Sequence, residues 1–179
     1  WEVDPGTQFI NLTVALPEVK RVGVVYSKAH SAETVAHAKS EAARVGLELV
    51  EAPINRPKEF RQTYKQIAGK IDAYWMLADP VVYTLENVAW LEERCTRDRI
   101  ACIGPSRNIA EMGILLAVNA DVSNIGLQAA SIAKSIVLRH LPPKQFGVRP
   151  PLGTRLVLNA KTAERIGIEL NRTVLDMAS

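Results

Sequence analysis

The residues of this 179-residue sequence with most chemistry to offer stand just past short apolar runs. Ser27, His30 and Ser31 follow Val22-Gly-Val-Val-Tyr26, and Asp79 and Tyr83 follow Asp72-Ala-Tyr-Trp-Met-Leu77. Ser106 comes after Ile100-Ala-Cys-Ile103, and Asp121 after Ile114-Leu-Leu-Ala-Val118. A carboxylate in such a place can accept from a ligand ammonium through a charge-assisted hydrogen bond. Ser31 reads as a helix cap, and the N–H groups at a capped N-terminus favour an anion such as a ligand carboxylate. Ser106 and Arg107 can offer the same from their loop, and Tyr83 brings an apolar ring with a polar tip. Each has a plainer reading: Asp79 before Pro80 as a turn or cap residue, Asp121 and Ser31 as caps, Tyr83 as packing at a helix start, Arg107 as a solvated charge.

Catalysis finds little support. His30 is expected on a loop, His37 on a helix face and His140 at a helix end, the last two at the surface, with no nucleophile elbow, HExxH or glycine-rich phosphate loop nearby. Asp79 could imitate the nucleophile of a phosphoacceptor receiver domain. That chemistry wants an acidic cluster after the first strand and a Lys after the fifth, where Ser27 and Asn119-Ala-Asp121 stand. No catalytic residue, cofactor or metal ligand is therefore expected.

The elements that must hold these residues follow from period and punctuation. Val22, Val24 and Val25 form a β-branched run of the kind found in buried parallel strands, and Val35, Ala38, Ala42 and Val45 give the following helix one apolar stripe until Val45-Gly46 ends it. Leu47-Glu-Leu-Val-Glu-Ala52 alternates as an edge strand does, and Pro57 opens a helix with Phe60, Tyr64 and Ile67 on one face, closed by Gly69. Asp72–Leu77 reads as a central strand, and Leu85, Val88, Leu91 and Cys95 as the stripe of the next helix. Ile100–Ile103 and Ile114–Val118 read as the fourth and fifth strands, separated by a brief helix ending near Gly113. Asp121 then caps the longest helix, striped by Val122, Ile125, Ala129, Ile132 and Ile136 and stopped by Pro142-Pro143. Leu156–Leu158 makes a sixth strand and Thr162–Ile166 a short helix.

Strands alternating with helices require crossover connections, which implies a doubly wound, mostly parallel α/β sheet with helices on both faces. One α/β lobe is expected. Residues 1–18 would supply a leading helix (Phe9, Leu12, Val14, Leu16, closed by Pro17) and a crossover into the lobe, 19–141 the core repeat, and 142–179 an extended linker, final strand and C-terminal helices.

An apolar content of 47% can fill a sizeable core, and no apolar run approaches the roughly 20 residues that span a bilayer. The net charge of +3 comes from 22 basic and 19 acidic residues without a basic tract, which argues against a nucleic-acid partner. Cys95 and Cys102 show neither CxxC spacing nor a neighbouring His, and positions at a helix end and in a strand seldom offer the roughly 5.5 Å Cα separation of a disulfide; two unlinked thiols are expected. The sequence starts at Trp1 without an initiator Met or signal peptide, as a processed or excised product would.

Lys20–Tyr26, Asp72–Pro80, Arg99–Gly104, Gly113–Asp121, Gly126–Ile136 and above all Leu156-Val-Leu-Asn-Ala-Lys-Thr-Ala-Glu-Arg-Ile-Gly167 resemble, in order and spacing, the substrate-binding proteins of ABC transporters, a group with tryptophan- and tyrosine-binding members. The closing pattern is the specific one; the strand motifs alone are weak. The resemblance runs from about Thr7 onward and corresponds to the C-terminal lobe of a type I periplasmic-binding-protein fold, in which two lobes close on a ligand. It implies non-covalent capture of a small molecule such as an amino acid at the loops Ser27–Ser31, Ala78–Tyr83, Gly104–Arg107 and Asn119–Val122. It further implies permease subunits and an N-terminal lobe of the same protein as partners, and a periplasmic or extracytoplasmic location, any lipid anchor lying in a segment outside this sequence. Val122 stands where an aromatic residue commonly follows the acid, and Asn171 where a Pro usually opens the last helix. Self-association through a face including Pro80, Val81 and Val82 is also expected. The alternative from another class is the ligand-sensing input domain of a membrane signalling protein.

Overall fold

In the computed structural model, residues 3–170 and 172–177 are described; Asn171 lies outside them. Six strands form one sheet in the order β2-β1-β3-β4-β5-β6: β1 (Arg21–Ser27), β2 (Glu48–Ile54), β3 (Ala73–Trp75), β4 (Ala101–Gly104), β5 (Leu116–Ala120) and β6 (Thr154–Leu158). The first five run parallel, and β6 is antiparallel to β5. Because successive side chains point to opposite faces, β3 and the residue after it feed two separate cores. Ala73 and Trp75 join Phe9, Leu12, Val35 and Ala38 of helices α1 (Pro5–Ala15) and α2 (Lys28–Arg44). Tyr74 and Met76 join Phe60, Tyr64 and Leu91 of α3 (Phe60–Ala68) and α4 (Leu85–Asp98). The expected sheet, its central third strand and its edge at β2 are all present.

Several local expectations are overturned. The short strand β3 covers only part of Asp72–Leu77, and β5 begins two residues later than read. Leu85 is 84% exposed instead of joining the α4 stripe, and Val14 faces outward beside Ile10 on α1. Ser31 does not start α2: the helix begins at Lys28, with Ser27 as N-cap, so both Ser31 and His30 lie inside its first turns. Cys95 and Cys102 are joined as a disulfide. Arg99 ends α4 in the left-handed region (φ 55°), and the Ile100 N–H returns to the Cys95 carbonyl at 3.0 Å. So abrupt a reversal lays the last turn of α4 beside β4, with the two Cα atoms 6.4 Å apart, inside the range a disulfide spans.

After α5 (Arg107–Glu111) and β5 comes α6 (Val122–Arg139), whose N-terminus Asp121 caps as expected through Ser123 and Asn124 N–H. Its apolar stripe was expected to lie on the sheet, but none of its residues is buried. A 3₁₀ turn (Pro143–Gln145) and an extended return lead to β6, after which α7 (Ala160–Ile166) and α8 (Arg172–Met177) complete the chain.

Candidate ligand-binding site

In an open parallel sheet, ligands bind beyond the carboxyl ends of the strands where the strand order reverses. Here that place is the crevice between β1 and β3. Asp79 closes it from the β3 side. The residue is completely buried, and both carboxylate oxygens are engaged. Oδ2 accepts from the Ser27 N–H at 2.8 Å and the Ser31 hydroxyl at 2.6 Å; Oδ1 accepts from the N–H groups of Val81 at 2.8 Å and Val82 at 3.1 Å. The second pair makes an Asx-type turn, and the first ties that turn to the start of α2. Asp79 thus fixes two loops against each other. The Ser27 side chain makes no capping bond, leaving the first-turn N–H groups of Lys28, Ala29 and His30 at the crevice with the positive end of the helix dipole.

Of the other residues read from sequence, Tyr83 is half-buried against the second core, and its N–H bonds the Asp79 carbonyl at 2.7 Å. His30 is exposed on the first turn of α2 rather than on a loop. Ser106 is the N-cap of α5, without a capping bond from its hydroxyl. Asp121 also accepts from Arg155 Nε of β6 at 3.1 Å. Burial alone would raise its carboxyl, but the Asn124 N–H, the Arg155 guanidinium and the Ser123 N–H hold it below the usual carboxylate range. Ser27, Ser31, Asp79 and Tyr83 are therefore one hydrogen-bonded unit, while Ser106 and Asp121 stand on the next two loops of the same sheet edge. Val82, read as part of an open apolar face, is instead only 2% exposed, drawn into the second core by its bond to Asp79.

Three features escaped the sequence reading. A groove of about 420 Å³ opens along the loops after β2 and β3, lined by Pro57, Lys58, Arg61, Thr84, Glu86 and Asn87, none of them a residue read from the strand ends. Buried Gln8 of α1 accepts from Trp75 Nε1 at 2.9 Å and donates to the Val3 carbonyl at 2.7 Å, beside a small cavity of about 20 Å³ at the end of β3. In the closing motif, Asn159 caps α7 through the Thr162 N–H and donates to the Ala110 carbonyl at 2.7 Å, while the Thr162 hydroxyl donates to the Gly113 carbonyl at 2.8 Å. Those motif residues lock α7 to the turn after α5, so their part is structural.

The family described as ABC transporter substrate binding protein matches residues 3–179. The chain belongs to that family. Solved structures similar to it include a conserved domain protein from Vibrio cholerae O1 biovar El Tor (27% identity, TM-score 0.78, covering 99% of this chain and 60% of the other). Another is an ABC domain in complex with L-Trp from Streptococcus pneumoniae (21%, 0.76, 98% and 61%). A third is a ligand-free, open substrate-binding protein with adhesive properties from Clostridium difficile (23%, 0.79, 100% and 59%). The chain spans about three fifths of the length of these structures. Comparison with the curated proteins gave no match. The fold is that of a periplasmic-binding-protein lobe, and the family is one of binding proteins, typically extracytoplasmic. Among the described residues no helix is long and apolar enough to cross a membrane, and no cluster of His, Cys, Asp or Glu could hold a metal ion.

Proposed function

We propose that this chain is one half of a two-lobed solute receptor that captures an amino acid for an ABC transporter and releases it to permease subunits. The family match across residues 3–179 carries the reading. The crevice between β1 and β3 supports it: a ligand carboxylate is received by the uncapped first turn of α2, with Ser27, His30 and Ser31 around it. Tyr83, Ser106 and Asp121 line the neighbouring loops and supply the ring and polar contacts for the rest of the ligand. Asp79 acts as a positioning residue, since its oxygens already serve four protein donors. Capture is non-covalent, by hinge closure of two lobes, the other being an N-terminal lobe of the same protein. The Cys95–Cys102 disulfide is consistent with an oxidising, extracytoplasmic setting.

The test is titration calorimetry with L-Trp and the other amino acids. A ligand resting on one lobe keeps a face in water, so if the two-lobed protein binds at about micromolar strength (roughly 8 kcal/mol), losing a third leaves the 179-residue chain near millimolar or weaker. Tight one-to-one binding by the monomeric 179-residue chain would overturn the two-lobed reading. Binding of no amino acid by the complete polypeptide would overturn the proposed ligand class.

A further inference from the structure

The groove along the loops after β2 and β3 carries cationic and polar groups that the solute crevice does not use. Its volume of about 420 Å³ lies within the range that small-molecule sites occupy. Its cations are held in place. Arg61 of α3 donates through Nη2 to Glu86 Oε1 at 2.6 Å and lies over the Trp90 ring, 5.8 Å from its centroid, so the guanidinium is fixed while Nε and Nη1 have no partner among the described residues. Lys58, in the 3₁₀ turn Pro57–Glu59, makes no ion pair among them either, since the adjacent Glu59 is taken by Arg56 Nε at 3.0 Å and the Asn55 N–H at 2.9 Å. With Glu86 matched to Arg61, the lining keeps one positive charge in excess. The first turn of α4, with Thr84 as N-cap, adds the positive end of its dipole.

Asn87 makes the groove more than a charged surface. It lines the groove yet is only 6% exposed. Chemistry fixes which way its carboxamide faces: the nitrogen must meet the Val82 carbonyl, to which it donates at 3.1 Å, so the oxygen is the open end. No described residue donates to that Oδ1. An acceptor so placed is satisfied only by a donor that enters the groove.

We propose that this groove is a second ligand site, for a small organic anion that also carries a hydroxyl. The carboxylate or phosphate meets Lys58, Arg61 and the Thr84 hydroxyl, and the ligand hydroxyl donates to Asn87 Oδ1. A hydroxyl fits better than an ammonium, because a zwitterion brings no net charge to a lining in positive excess and its ammonium is repelled by the two cations. The site lies outside the crevice between β1 and β3 and stands whether or not an amino acid binds there.

Titration calorimetry on the complete polypeptide at low ionic strength sets L-malate against succinate, and glycerol 3-phosphate against propyl phosphate; each pair keeps the anionic group and removes the hydroxyl. The hydroxylated member of one pair should bind about fivefold more tightly than its partner, and which pair does so tells carboxylate from phosphate. Lys58→Glu, which breaks no ion pair, should weaken that binding about tenfold at an unchanged melting temperature. The Asn87 side-chain NH2 resonances should shift on titration while the Ser27 N–H stays in place. No binding of any of the four, equal binding within both pairs, or full affinity in Lys58→Glu overturns the proposal. So does competition by L-Trp, which would make the groove part of the solute site. Anion binding that survives when no amino acid binds at all upholds this site and refutes the solute reading alone.

Discussion

Replacing Asp79 should unfasten two loops at once. With asparagine, one oxygen becomes an amide NH2. If the remaining oxygen keeps the turn with Val81 and Val82, the NH2 faces the Ser27 N–H, and two donors oppose each other in a completely buried place. The Ser31 hydroxyl can reverse and accept, but the Ser27 N–H cannot. An unsatisfied buried donor costs about 1–3 kcal/mol, and loss of charge assistance in the remaining bonds brings the sum to roughly 2–4 kcal/mol. At about 2–4 °C per kcal/mol for a domain of this size, Asp79→Asn should melt roughly 4–16 °C lower. Ser31→Ala removes one bond and should cost about 1 kcal/mol, and the two substitutions together should cost less than their sum. Scanning calorimetry with parallel L-Trp titrations is the assay. Weakened L-Trp binding at an unchanged melting temperature would refute the reasoning, because it would mean that the carboxylate addresses the ligand and not the loops.

Reduction of Cys95–Cys102 should add two hydrogens to the intact mass, and Cys95→Ser should cost about 2 kcal/mol for so short a loop; an unchanged mass would show free thiols. Asp4 and Asp72 share the lowered state of Asp121: burial opposes it, but the His37 and Arg21 side chains and nearby N–H groups outweigh burial. Their native values lie below the unfolded ones, so the stability they contribute is present above the unfolded value of about 4 and lost as pH falls through the native values. Melting temperature should hold from pH 7 to about 5 and fall below about 4, less steeply in Asp72→Asn; a flat profile to pH 3 would contradict this. In the proposed receptor, Val122→Phe, tested by calorimetry in the complete polypeptide against the aromatic amino acids, should tighten binding of a flat ligand by about 1 kcal/mol if α6 starts at the ligand, and unchanged affinity would remove Val122 from the site.

The strands were legible because burial on both faces leaves a continuous apolar signature, as in Asp72–Leu77, whereas the alternation of Leu47–Ala52 marks an edge. The stripe of α2 was legible as a stripe, but its start was not. A serine before an apolar period reads as a cap on local grounds, and only the fold brings in Asp79, which takes the Ser31 hydroxyl from 48 residues away. The disulfide was hidden for a related reason: its geometry depends on the left-handed turn at Arg99, where neither Gly nor Asn announces it. In α6 the period is that of a helix but the sheet does not cover it, since hydrophobic spacing marks an apolar face and not what lies against it.

The same distinction governs the site. Asp and Ser beyond strand ends are the residue types that bind polar ligands and equally those that fasten loops, so their presence located the crevice without assigning the work. Geometry divides it. A carboxylate with four donors inside the protein has little left to offer a ligand, whereas the first turn of α2, whose N-cap hydroxyl makes no bond to it, keeps its donors. Positioning also has to precede binding, because loops ordered only by the ligand would take their ordering cost out of its affinity. Asp79 meets that cost during folding, and in the proposed receptor the closure of the second lobe is left to supply the remaining contacts.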